Sequence, residues 1–399
     1  MRKIISAVMA LVMLATVLPA IPVFAEESGA EKPAYSQPES PSVTYNMNVD
    51  WKFTKASGGP YLAAASESVE KDGKRFYEVD YDDSEWEDVS VPHPINAEDT
   101  FDGNAYDSGE ASLYRGFMFY RKHVIIPASD EGKKMFLEFE AVRQSVYLYV
   151  NGEIVGFYEA GVAPIGFDIT DYVKPGEDNV IAVATDNLAS RGNNNDTRET
   201  KPGSEPGAAD GYGYQWNTQD FNEVQGGITG NVNLYAKGKI YQTLPLYNNL
   251  KTTGNYIYGS DFDIDNASAT INVKAEIRNE TDADADLTLQ VDVVAMDGTL
   301  AYSFKQDGTA EKASDADAHF MNMIPADAYD ENPADTDIST VDVSYITASA
   351  KAENMRFWSD KDPYLYTFNS ILKKGDEVND VQETVTGFRK KEYEINNGG

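Results

Sequence analysis

The chain has 399 residues, 66 of them acidic against 33 basic, giving a formal net charge of −33, and it has no cysteine. That balance argues against a nucleic-acid partner, because a phosphate backbone is held by clustered Lys and Arg that release counterions. The missing cysteine excludes disulfides and thiolate metal sites, while 41% hydrophobic and 12% aromatic residues suffice for buried cores in two or three domains.

In chain order, Arg2 and Lys3 precede an apolar run from Ile4 to Leu18, and Val23-Phe24-Ala25 stands before Glu26. Residues 1–25 therefore read as a secretory signal peptide. Pro19 and Pro22 and the acids that follow argue against an uncleaved anchor. An exported bacterial protein is expected, secreted or extracytoplasmic and free of the membrane after cleavage. Residues 26–42 are Glu, Ser, Pro and Ala without periodicity and read as a flexible linker.

From Val43 onward the chain alternates short strands, aromatics and turn signals, so the class is all-β. Met135 to Glu140 and Ser145 to Val150 are strand-like, and Asn151-Gly152 follows at once before Ile154 to Phe157. Asn-Gly tolerates positive φ at both positions and predicts a hairpin over 146–157. Val180 to Ala184 reads as a buried strand, and Val232 to Tyr235 closes a first domain, 43–237. Between them, Ser190 to Gly213 is too long and polar for an ordinary connection and is expected at the rim of a binding site.

A second domain, 238–395, follows. Ile271, Val273, Ala275 and Ile277 alternate with polar residues, and so do Leu287, Leu289, Val291 and Val293. Period two on both sides of a polar loop predicts a β-sandwich of immunoglobulin-like size. The Asp-, Ala- and Glu-rich residues 305–339 read as a solvated insertion.

His93, His123 and His319 are the only histidines and no two stand at a metal-ligand interval, which argues against a zinc site or a serine triad. No phosphate loop, nucleophile elbow or dinucleotide glycine pattern is present. No cofactor and no metal are expected. Asp282-x-Asp284-x-Asp286 begins like a calcium loop but lacks its glycine and terminal glutamate, so a solvated turn is expected.

Several motifs taken in order carry a family resemblance. Val91-Pro92-His93-Pro94-Ile95, Tyr114-Arg115-Gly116, Phe119-Tyr120-Arg121, Val150-Asn151-Gly152, Gly166-Phe167-Asp168, Asn179-Val180-Ile181 and Asp220-Phe221-Asn222 resemble the sugar-binding domain of glycoside hydrolase family 2. Phe357-Trp358-Ser359, Asp362-Pro363-Tyr364 and Gly387-Phe388-Arg389 resemble the end of that family's immunoglobulin-like domain, and the stretch from Leu244 to Gly254 is most similar to secreted bacterial β-galactosidases.

The resemblance implies a galactose-binding-like jelly-roll β-sandwich followed by an immunoglobulin-like β-sandwich, with carbohydrate, β-galactoside-like, as the partner. It also implies that the catalytic TIM barrel is missing from this chain, so no residue is assigned a catalytic role. A barrel takes about 250 residues. By resemblance Asp220 is the family's loop aspartate; Trp216, Asn217 and Gln219 stand beside it as the candidate sugar contacts. Asn279-Glu280 has the form of a glycosidase acid pair, but it sits in a hairpin turn and is read as structural. A freestanding carbohydrate-binding protein and a purely structural surface module are the alternatives; an in-frame barrel past codon 399 separates a glycosidase part from both, and glycan binding separates those two from each other.

Overall fold

The computed structural model describes residues 34–55, 69–95, 117–143, 145–159, 163–186, 226–245, 250, 252–314 and 342–391. Strand propensity and period-two burial dominate: among the described residues there are strands and one short 3₁₀ turn at Ala128–Asp130, and no α-helix. Every strand pairing there is antiparallel. The all-β class holds, and no TIM barrel forms from the described residues.

The first set of strands is β1 (Val43–Asn46), β2 (Trp51–Lys55), β3 (Glu70–Lys71), β4 (Lys74–Arg75), β5 (Glu87–Val89), β6 (Phe117–Ile125), β7 (Lys134–Phe139), β8 (Val142–Arg143), β9 (Ser145–Val150), β10 (Glu153–Glu159), β11 (Ile165–Asp168), β12 (Asp178–Asp186), β13 (Gly227–Ile228) and β14 (Val232–Lys237). They make a four-stranded sheet, β1-β14-β7-β11, and a six-stranded sheet, β10-β9-β12-β6-β2-β5. Trp51, Phe53, Met118, Tyr120, Leu137, Phe139, Leu148, Val183 and Leu234 fill one buried cluster between them. The hairpin predicted at Asn151-Gly152 forms, with φ of 53° and 88° at the two turn residues. The Asn151 side chain adds bonds of its own: it donates to the Tyr172 carbonyl and accepts from the Val180 N–H.

Alternation alone does not describe β6. Phe117, Phe119 and Arg121 face away from the main core, yet all are buried, because the β3–β4 hairpin and the chain after it lie over them. Phe76 packs 4.8 Å from Phe119, and Tyr77 stacks on Tyr149 at 4.3 Å.

The second set is β15 (Ile240–Gln242), β16 (Tyr256–Asp263), β17 (Ser268–Asn279), β18 (Ala285–Val294), β19 (Leu300–Ala310), β20 (Ser344–Ala352), β21 (Tyr366–Lys374) and β22 (Glu377–Thr386). β17 is flanked by β15 and β16 and also pairs with β20, while the second sheet runs β19-β18-β21-β22. The alternating residues of β17 and β18 named above are the centre of its core. Asp284 and Asp286 are hairpin acceptors, for the Lys312 N–H and the Thr309 hydroxyl.

Two expectations change. Residues 305–310 do not belong to an insertion: Lys305 to Ala310 pair with Gln290 to Ala285 as the end of β19. β19 is a sheet edge with a mostly exposed burial pattern, so it carries polar residues and hides its strand character. The remainder, 315–341, lies outside the described residues; its flanks meet where Ser314 N–H donates to Asp342 Oδ2 at 2.8 Å. Residues 35–42 are likewise not a bare linker. Tyr35 bonds Gly298 O through its N–H at 2.9 Å and Asp292 through its hydroxyl at 3.0 Å.

The two cores are joined by buried charge. Lys237, at the end of β14, reaches Asp380 of β22 at 3.1 Å, and Asp380 also accepts the Gln242 N–H. Lys134 of β7 contacts Asp168 at 2.7 Å and Glu280 at 3.4 Å. Glu280 in turn holds Arg278 at 2.6 Å and the Tyr241 hydroxyl at 3.1 Å. Burial pulls the Lys134 pKa down, but Asp168 and Glu280 outweigh it and the net shift is upward. Glu280 is thus structural, as read, although it is buried at a junction. Phe136, Tyr241, Leu244 and Leu250 add an apolar patch across the same junction.

Candidate carbohydrate-binding site

Trp216, Asn217, Gln219 and Asp220 lie outside the described residues. What the fold places is the stem from which their loop departs. β12 ends at Asp186, paired with Phe117 at the start of β6. On the return side, Gly227 pairs with Arg143, the Ile95 N–H donates to Gly226 O at 3.0 Å, and the His93 N–H donates to Ile228 O at 2.6 Å. Lys55 pairs with Met118, and Ser145 pairs with Glu159 two residues beyond the Tyr147–Ala184 pair. The points where the chain leaves for 56–68, 96–116, 144, 160–162 and 187–225 therefore gather at one end of the first sandwich. Antiparallel pairing puts alternate strand ends on one rim, and long loops on such a rim are where jelly-roll scaffolds carry function.

The described part of that rim is built around His93. Its ring sits edge-on to Phe53 at 4.6 Å, and Nδ1 lies 3.0 Å from the Tyr120 hydroxyl. Burial pushes the Tyr120 pKa up, so the hydroxyl stays protonated, and it lies within reach of both His93 Nδ1 and, at 3.5 Å, the His93 carbonyl. Burial also lowers the His93 pKa, with Glu87 opposing and Lys55 adding to the shift. Gly227 passes this pair at φ +97°, and a Cβ there would lie 2.5 Å from His93 O and 2.6 Å from the Tyr120 hydroxyl. Only glycine fits.

The depressed His93 pKa has a sign for stability. The folded state binds fewer protons than the unfolded one just below the ordinary histidine value of about 6.5, so the contribution is present above that pH and lost as pH falls through the folded pKa. His93→Gln is expected to flatten the melting-temperature profile below about pH 6.5. Parallel pH profiles for the two proteins would contradict this.

Sequence reasoning weighed His93 only as a metal ligand, a triad member or a motif residue. Its partner Tyr120 stands 27 positions away, and nothing local signals the pair. His123 bonds Asp178 at 2.8 Å. Among the described residues no group of three or more His, Asp or Glu is arranged to hold a metal ion.

Two antiparallel sandwiches in tandem, with the chain's exits from the described strands gathered on one rim of the first, define an all-β module. Residues 46–191 match the sugar-binding domain of the glycosyl hydrolases family 2, and residues 256–389 match a second domain model of the same family. The chain belongs to glycosyl hydrolase family 2 and carries its sugar-binding and immunoglobulin-like domains. It is 33% identical over 361 residues to a β-glucuronidase of Formosa agariphila, covering 90% of this chain and 31% of that protein. A β-galactosidase of Bacteroides ovatus is 22% identical over 351 residues, covering 88% of this chain and 32% of that one. Among solved structures, a family 2 β-glucuronidase superposes with a TM-score of 0.67 at 30% identity, over 89% of this chain and 31% of the other. The chain thus spans about a third of the length of these relatives.

Proposed function

We propose that this chain is the sugar-binding front part of an exported β-glycosidase whose substrates end in β-linked galactose or glucuronate, and that its rim loops complete a substrate site on a catalytic barrel. The observation that carries the reading is the convergence of the loop stems, Asp186–Phe117 and Gly226–Ile95, at one end of the first sandwich. On this reading Asp220 and the amides of Asn217 and Gln219 bond sugar hydroxyls, and Trp216 stacks on a pyranose face. The galactoside preference rests on the stretch from Leu244 to Gly254, while the relatives divide between β-glucuronidases and β-galactosidases. Export through a leader at residues 1–25 is part of the proposal.

The test is a chimera in which this chain replaces the matching third of the 33%-identical β-glucuronidase. With chromogenic β-glucuronide and β-galactoside, Trp216→Ala and Asp220→Ala are expected to raise KM about tenfold, the loss of one sugar contact. The purified chain alone is expected to show no turnover, since an oxocarbenium-like transition state needs two fixed carboxylates, one of them kept protonated. Unchanged kcat/KM in both variants would remove the loop from the substrate site.

A further inference from the structure

The segment that precedes β1 is bonded to both sandwiches. At one end Tyr35 donates its N–H to Gly298 O at 2.9 Å, in the turn between β18 and β19, and its hydroxyl to Asp292 of β18 at 3.0 Å. At the other end Lys133 Nζ donates to the Pro41 carbonyl at 2.8 Å, β1 pairs with β14, and the Tyr45 hydroxyl donates to Asp130 at 2.5 Å. Gly298 and Asp292 belong to the second sandwich, Lys133 and Asp130 to the first. β1 is itself the edge of the four-stranded sheet, so what holds it decides whether β14 stays covered.

Both anchors have the same chemistry, a tyrosine hydroxyl on a buried aspartate. Asp130 also meets Lys133 at 2.8 Å, and Asp292 takes two further donors, the Gln290 amide and the Ser303 hydroxyl. Burial and the neighbouring aspartate raise the pKa of Tyr35 and of Tyr45, so both hydroxyls stay protonated donors. Asp292 alternates with Val291 and Val293 of the core and therefore faces outward, as do Asn369 opposite it and Ile371 two residues on. All three are nonetheless buried, on the face that Tyr35 reaches. The distance to be covered leaves little slack. β18 leaves the junction beside Glu280 and runs ten residues, about 33 Å, before the Gly298 turn. Tyr35 to Val43 is eight residues, at most about 26–29 Å when fully extended, and Pro38 and Pro41 favour the extended form. In so short a connection each anchor keeps the other end at a high effective concentration beside its partner.

We propose that residues 35–42 are a taut strap that couples the two sandwiches, so that the edge strand of the first is held in place by a contact made on the second. Release of either anchor loosens the other. The strap is independent of the glycosidase reading and is tested by amide hydrogen exchange on the purified chain. Tyr35→Phe removes one hydroxyl at the second sandwich and should speed exchange of the β1 amides on the first at least about fivefold, the effect of one lost hydrogen bond. Tyr45→Phe should do the same, in the opposite direction, to the Tyr35 amide that bonds Gly298 O. Neither variant should alter the amides of β17, in the core of the second sandwich. Inserting Gly-Ser-Gly-Ser between Pro38 and Glu39 keeps both anchors and adds slack, and in that background both cross-effects should fall below about twofold. Exchange that changes only at the substituted end would reduce the segment to two unrelated contacts. Cross-effects that survive the insertion, or acceleration in β17 as well, would place the response in global stability; each of these three results overturns the proposal.

Discussion

Asp380→Ala is expected to destabilise the protein by about 3–5 kcal/mol, because it strands a buried ammonium. Asp380 is fully buried and accepts Lys237 Nζ at 3.3 and 3.1 Å as well as the Gln242 N–H at 2.8 Å. Lys237 is itself only 3% exposed, so water cannot take over its solvation. The pair bridges β14 of the first sandwich and β22 of the second, which makes the penalty one of the junction and not of either core. The control is the double variant Lys237→Met with Asp380→Leu, which removes both charges and keeps the branched shape at position 380. It should recover most of the loss, short of about 1–3 kcal/mol for the Gln242 N–H left without an acceptor. Urea midpoints for Lys237→Met, Asp380→Leu and the double close the cycle. A single variant within about 0.5 kcal/mol of the parent would show that the junction contributes nothing.

Trp51→Ala should cost a similar amount, about 3–5 kcal/mol, by a different route. Trp51 is fully buried in the main cluster of the first sandwich, edge-on to Tyr120 at 6.4 Å with Lys122 Nζ 5.8 Å above its ring. Its indole N–H donates to Met47 O at 2.6 Å and ties the β1–β2 connection to the core. Alanine leaves a cavity and an unpaired carbonyl together. Trp51→Phe fills most of the cavity and loses only the donor, so about 1–2 kcal/mol is expected. Denaturant midpoints that rank the alanine and phenylalanine variants equally would place the cost in the hydrogen bond and not in packing.

The candidate site was legible as a place more than as a geometry. The order of the motifs singled out Trp216, Asn217, Gln219 and Asp220, and the length of the polar stretch before them marked a functional loop. The rim that holds the loop stems was not legible, because it is made by pairs such as Ile95 with Gly226 and Phe117 with Asp186, each from distant parts of the chain. Nor was the row of Asp88, Lys52 and Arg121, which register sets across three strands.

What the sequence determined by itself was whatever depends on neighbours along the chain. Asn151-Gly152 needed only its own tolerance of positive φ to make the turn, and the alternation in β17 and β18 needed only the two-residue period of a strand. The tertiary structure decided what depends on which surface lies opposite. β6 is buried on both faces because a hairpin 40 residues earlier covers it, and residues 305–310 are strand because β18 offers them an edge. Lys237, Glu280 and Asp380 are ordinary surface types by sequence, yet they are buried because two sandwiches meet there. Backbone conformation follows from local sterics, whereas burial is a property of pairs of surfaces, and only folding brings those surfaces together.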